Sequence, residues 1–253
     1  MANYRLVIPR PIYQAACIIF VVAVPLFLIA ASVTWAVNDS GLYRRGFEKY
    51  DIAARSGITE ADLTRVGGEL RRYFNSGEEP LRVIAPVYGL ERELYNHREV
   101  EHMRDVKVLV RGTYFVAAIS GFYLLGLTAA AYVLCRAGFA ARMARLLIWG
   151  GGLTLGIVAA VGLFALVGFD SLFLLFHQMS FSNDLWQLDP RTDYLLIMFP
   201  QGFWFDATMR VALTTIAGAL LIAAAGGGYV FSMKKRGRGR GDDEGNFQKA
   251  EGP

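Results

Sequence analysis

The sequence predicts an all-α, polytopic membrane protein: four transmembrane helices and a small extracytoplasmic helical cap. Three observations predict it. Hydrophobic residues make up 54% of the 253-residue chain and mean hydropathy is +0.34, yet 19% of residues are charged. The apolar residues fall in four long runs, each able to span the roughly 30 Å of a bilayer core. The charges gather between the runs, above all from Asn38 to Arg111 and in the tail. Composition of this kind excludes a soluble globular domain.

Residues 1–11 carry Arg5 and Arg10 and form a cytoplasmic N-terminus. The first span covers residues 12–37, with Pro25 inside it, where a membrane helix tolerates proline. It is too long for a signal-peptide core, which argues against cleavage after Ala30-Ala31-Ser32. Residues 38–105 form an extracytoplasmic helical segment. Thr59 opens a helix there as a cap with Asp62; Leu63, Val66, Leu70 and Phe74 follow at helical spacing, and Asn75-Ser76-Gly77 ends it. Pro80 and Pro86 mark an irregular stretch, and another helix is expected from about Leu90. The segment is poor in apolar residues, so it is expected to lie on the membrane helices without a core of its own.

The second span covers residues 106–134, and a cytoplasmic loop, 135–145, carries Arg136, Arg142 and Arg145. The third span covers 146–167. Its apolar run continues to Phe176, longer than a bilayer needs, and Gly168-Phe169-Asp170 is the expected break. An extracytoplasmic loop, 168–201, contains His177; the fourth span covers 202–233; a disordered, Gly-rich basic tail occupies 234–253. The short-loop arginines and the tail's Lys234, Lys235, Arg236, Arg238 and Arg240 fall on one side, so both termini are cytoplasmic by the positive-inside rule. The net charge of +4 is then a topology signal, and no nucleic acid is implied. Cys17 and Cys135 lie at or in apolar runs, and no disulfide framework is expected outside.

The polar segment Glu99 to Lys107 precedes the second span, and the segment from His177 to Asp189 follows the third. His102 and His177 are therefore expected at one depth on one side. Asp105, three residues after His102, shares its helical face and is placed to orient the imidazole. Arg111 and Arg210 lie near the outer ends of their spans, where a charge is a functional candidate or one half of a structural ion pair. Asn183, Asp184, Trp186 and Asp189 are candidates to line the site. The three histidines with Asp105 lack a recognised metal-binding spacing, and no metal is expected. No phosphate loop or serine nucleophile motif is present either.

At these positions the chain resembles a known family. His102-Met103-Arg104-Asp105-Val106-Lys107 looks like its His-Met-x-Asp-Val-Lys signature. Phe176-His177-Gln178, Trp186-Gln187-Leu188-Asp189-Pro190 and Leu196-Ile197-Met198-Phe199-Pro200 look like its second signature. Tyr43-Arg44-Arg45 with Phe47-Glu48-Lys49-Tyr50 is similar to its segment after the first span. The family is the four-span bacterial membrane family that includes the lipoprotein intramolecular transacylase, and the resemblance extends from Ile12 to Met233. It implies a bacterial inner-membrane enzyme without a cofactor. The implied reaction moves the sn-2 acyl chain of a diacylglyceryl-cysteine to its α-amino group, giving a lyso-form lipoprotein. The substrates implied are the modified lipoprotein N-terminus and membrane lipid. His102 and His177 match the family histidines, in roles of base and acid or oxyanion stabiliser that are exchangeable; Asp105, Arg210, Arg111, Lys107 and Trp186 are the supporting candidates. A hydrolase with the same pair, or a non-catalytic lipid-binding protein, are the alternative readings. Oligomeric state is not legible.

Overall fold

Four helices are long and apolar enough to cross a membrane in the structure, a computed structural model describing residues 9–134 and 138–250, with side chains to residue 234. They are α1 (Arg10–Asn38), α5 (His97–Leu134), α6 (Phe139–Ser180) and the part of α8 from Gln201 to Lys234. Between α1 and α5 come α2 (Ser40–Lys49), α3 (Ile52–Ser56), α4 (Glu60–Asn75) and a hairpin of β1 (Ile84–Val87) and β2 (Leu90–Glu93). A short α7 (Tyr194–Met198) stands between α6 and α8. Arg5, Cys135, Arg136 and the tail side chains from Lys235 lie outside the described residues. The backbone of α8 runs as helix through Ala250, where a disordered tail is expected from residue 234; no proline interrupts residues 201–250.

The chain divides into two compact units. One comprises residues 1–28, 118–157 and 215–253. Its helices approach through small residues, as membrane helices do where backbones must come close. A Cβ at Gly150 would meet Val24 at 2.7 Å, and one at Gly226 would meet the Ala144 carbonyl oxygen at 2.5 Å. The Tyr123 hydroxyl donates to the Ala16 carbonyl at 2.9 Å.

The other unit comprises residues 29–117 and 158–214 and holds both histidine segments. Its polar part differs from the sequence expectation in three ways. First, it is densely packed, in a core that it shares with α5, α7 and α8. Ile52, Ile58, Leu63, Val66 and Leu70 are at most 1% exposed and pack with Tyr43, Phe47, Tyr73, Leu94, Met198, Phe199 and Phe203. The apolar residues suffice because α7 and the first turn of α8, distant in sequence, complete the cluster. Secondly, residues 84–93 form a hairpin, and the helix expected from Leu90 begins only at His97. Tyr88 and Gly89 both have positive φ (50° and 81°), the geometry of a tight two-residue turn that brings the strands back antiparallel. Tyr88 N–H donates to the Gly57 carbonyl at 2.8 Å, which seats the turn on the end of α3.

Thirdly, α6 does not end at Gly168. That residue is non-helical (φ −155°, ψ 64°), but the helix resumes beyond it to Ser180, so His177 stands on a helix and not in a loop. Residues 169–180 contain neither proline nor glycine, so nothing local stops the resumed helix. At the other end of the same site, α5 starts with a reciprocal cap. Glu99 N–H donates to Asn96 Oδ1 (3.1 Å) and Asn96 N–H donates to Glu99 Oε2 (2.8 Å). Thr59 likewise caps α4, accepting from the Asp62 N–H at 3.2 Å.

Candidate active site

His102 lies in the second turn of α5 and His177 in the last turn of α6. Their ring centroids are 6.1 Å apart, and the residues are only 8% and 9% exposed. Aromatic side chains enclose them. Phe181 meets His102 edge-on at 5.0 Å and His177 at 5.6 Å. Trp186 lies 5.2 Å from the His177 ring, and Phe173 and Phe176 lie at 4.4 and 5.4 Å. The spacing of Phe173, Phe176 and His177 along α6 gives them one side of the helix.

The His177 ring is held in one tautomer. Its Nδ1 stands 2.8 Å from the Phe173 carbonyl oxygen, which can only accept, so Nδ1 carries the hydrogen. In the neutral ring Nε2 is then the basic nitrogen. His102 is held differently: its Nδ1 is buried without a hydrogen-bond partner among the described residues. No hydrogen bond between Asp105 and His102 is found among the described residues. Asp105 Oδ2 instead accepts from Asn183 Nδ2 at 2.8 Å, because residues 181–187 fold over α5 and bring an amide donor to the carboxylate. An open cleft of about 530 Å³ adjoins the pair, lined by Leu174, Gln178, Phe181, Asn183, Asp184 and Trp186 among others.

A buried carboxylate holds this segment in place. Glu99 is 1% exposed; besides capping α5 it accepts from the Leu195 N–H at 2.7 Å through Oε1. Asn96 donates to Asp193 Oδ1 at 2.9 Å, and Asp193 Oδ2 accepts from the Asp189 N–H at 2.7 Å. The Arg191 side chain and its N–H both bond Asp189 and pull its carboxyl down to about 2.

The remaining candidates lie elsewhere. Lys107, 2% exposed, donates to the Glu78 carbonyl (2.5 Å), pairs with Glu79 (3.2 Å) and sits 3.9 Å above the Tyr73 ring. Arg111 donates to the Ser76 carbonyl. Arg210 pairs with Asp39 at 2.6 Å and lies 4.6 Å from the Trp35 ring centroid. Its sequence neighbour Asp206 instead takes Lys49 at 2.6 Å and Tyr50 at 2.9 Å. Lys107 and Arg111 therefore tie α5 to the end of α4 and the residues just after it, and Arg210 ties α8 to the end of α1. His97 is exposed at the start of α5. Among the described residues no three His, Cys, Asp or Glu side chains converge as metal ligands would. Glu99, Phe173 and Phe181 are the members that sequence reasoning missed. Phe173 had a signal in its position four residues before His177 on one helix, and Glu99 had one in its capping spacing three residues after Asn96.

The profile of the lipoprotein intramolecular transacylase family, Lit, matches residues 18–204. The chain belongs to the Lit family. Lit from Bacillus cereus, whose structure was determined in meso as a membrane-integral protein, superposes with a TM-score of 0.74 at 20% identity, covering 90% of this chain and 99% of that one. A variant of the same Lit with one histidine replaced by arginine superposes at 0.70 and 19% identity, covering 90% and 95%. At this identity the likeness establishes a common fold. An uncharacterised protein of Aquifex aeolicus is 27% identical over 135 residues, 53% of this chain and 57% of its own length. The chain thus spans little more than half of that curated relative.

Proposed function

We propose that the protein is an intramembrane O-to-N transacylase acting on lipoproteins. The acyl chain at sn-2 of a diacylglyceryl-cysteine moves to the cysteine's own α-amino group, and a lyso-form lipoprotein results. The observation that carries the reading is the pair of enclosed imidazoles 6.1 Å apart beside an open cleft, in a chain of the Lit family. The positive-inside pattern puts the termini in the cytoplasm and the pair at the extracytoplasmic face of the inner membrane.

The chemistry needs two proton movements. An α-amino group titrates near ~7.7–8.0, so at neutral pH it must lose a proton before it attacks an ester. His177 is the base in this reading, because its Nδ1–H is committed to Phe173 and Nε2 is left as the basic nitrogen. The amine nitrogen adds to the sn-2 carbonyl carbon, the C–O bond breaks, and the departing alkoxide takes a proton to become the sn-2 hydroxyl. His102 supplies that proton or steadies the oxyanion. An amide N–C bond replaces an ester O–C bond with no change in total mass. Amine and ester belong to one molecule, and the intramolecular geometry supplies much of the acceleration. Trp186 and Phe181 keep water from the pair, while Arg210, Arg111 and Lys107 serve the scaffold.

The test uses a bacterium lacking its own N-acylating enzymes. The protein is expressed there beside His102→Ala and His177→Ala, and an N-terminal lipopeptide is fragmented by mass spectrometry. An unchanged total mass with an acyl group on nitrogen, absent in both variants, is expected. Loss of one acyl mass identifies a hydrolase, and an unmodified lipopeptide from well-expressed protein refutes the enzyme reading for this substrate.

A further inference from the structure

We infer that the cleft formed by residues 174–187 is a cation site that captures the protonated α-amino group of the substrate's N-terminal cysteine, with Asp184 and Asp105 as its anionic partners. The inference rests on the transacylase reading and names the group by which that substrate is recognised.

The lining of the cleft is polar where it leaves the histidine pair. Gln178, Ser182, Asn183, Asp184 and Gln187 contribute acceptors, while Phe181 and Trp186 are at once cleft walls and neighbours of the imidazoles. Two carboxylates flank this lining. Asp184 belongs to it directly, and only its Oδ1 is engaged, accepting from Gln187 Nε2 at 3.2 Å. Asp105 stands one hydrogen bond behind it, through Asn183, with Oδ1 carrying no hydrogen bond among the described residues. Arg98 donates to the Asp184 backbone carbonyl, and no ion pair to either carboxylate is found among the described residues. Arg104 is turned to Glu101 at 3.8 Å. Each carboxylate thus keeps one oxygen without a hydrogen bond among the described residues.

An alkylammonium fits this arrangement better than a neutral ligand does. It brings three donors and one positive charge to a rim rich in acceptors. At pH 7 the free α-amino group is mostly in that form. The buried His102 Nδ1 has no hydrogen-bond partner among the described residues, and its ring packs against Phe181, a wall of the cleft. Capture by carboxylates at the rim and proton loss at the imidazoles are then successive events in adjoining places. An N-acylated product has neither charge nor the three donors, and it leaves a site that prefers the free amine.

Binding is measured at pH 7 in lipid nanodiscs with a dialkyl-ether analogue of the diacylglyceryl-cysteinyl peptide, whose ether links cannot transfer. The free-amine and N-acetyl forms are compared on one protein preparation. The free amine is expected to bind at least about tenfold tighter, and the preference to collapse in Asp105→Asn/Asp184→Asn. A folding defect would weaken both peptides alike, so the ratio isolates the cation site. Equal binding of the two forms by wild type overturns the inference, as does a preference that survives the double substitution. The diester lipopeptide distinguishes this failure from failure of the transacylase reading. Transfer with no amine preference leaves the enzyme and removes the cation site; preference without transfer does the reverse.

Discussion

Replacing Glu99 by glutamine should release the segment that carries Trp186 without unfolding the protein. The carboxylate accepts from two backbone donors, Asn96 N–H at 2.8 Å and Leu195 N–H at 2.7 Å, and the residue is 1% exposed. A carboxamide presents one oxygen and one NH₂ group, so one of those donors would face another donor. A hydrogen bond to a charged group contributes about 1.5–3 kcal/mol, and a buried donor left unpaired costs about 1–3 kcal/mol. A net loss of about 3 kcal/mol follows, equivalent to roughly a hundredfold in an opening equilibrium. Hydrogen exchange followed by mass spectrometry reads this directly. Glu99→Gln should speed exchange at Leu195 about a hundredfold in peptides covering 190–199, while α4 keeps its protection. Unchanged exchange at Leu195 would refute the reasoning. So would an increase shared equally by α4, since that would report global rather than local loosening.

Two further outcomes are expected. Gly46→Ala places a methyl group inside the Phe203 ring, and overpacking of this kind typically costs about 1–3 kcal/mol. Thermal inactivation in detergent should therefore fall by several degrees, and Phe203→Leu should restore part of the loss; an unchanged midpoint would argue against the close packing of α2 on α8. Asp189 is held to about 2 by Arg191, below its ordinary 3.8, so its contribution is complete above about 3.8 and is lost as pH falls toward 2. An NMR titration of the carboxyl should show its midpoint near 2 in wild type and raised in Arg191→Met, though still below 3.8 because the backbone N–H of residue 191 is kept. A midpoint that does not move would dismiss the pair.

The membrane architecture was legible because apolar runs of this length leave few alternatives, and mean hydropathy integrates over many residues. The approach of His102 to His177 was legible for a topological reason: one precedes a span and the other follows the next, so they emerge together. The hairpin was not legible. Its turn is Tyr88-Gly89 rather than the usual Asn-Gly, and Pro86 inside β1 reads as a breaker although it occupies a strand of only four residues. The cap's core was hidden because its last members, Met198, Phe199 and Phe203, are more than a hundred residues from its first in the chain. The Asn183 partner of Asp105 was hidden for a related reason. Helical spacing puts Asp105 on the His102 face, but spacing along one helix says nothing of a competing donor, and Asn183 arrives from another segment.

The bond from His177 Nδ1 to the Phe173 carbonyl has a consequence for bookkeeping of hydrogen isotopes. One ring nitrogen is occupied permanently, so a proton that arrives at Nε2 has no second exit through the ring and must leave by the door it entered. An imidazole used in this way is a parking place rather than a wire. The rearrangement consumes no water, but a substrate that arrives as the ammonium releases one net proton, and that proton leaves from Nε2. Deuterium carried in on the amine is therefore expected to wash out to solvent, since amine and hydroxyl hydrogens both exchange with water.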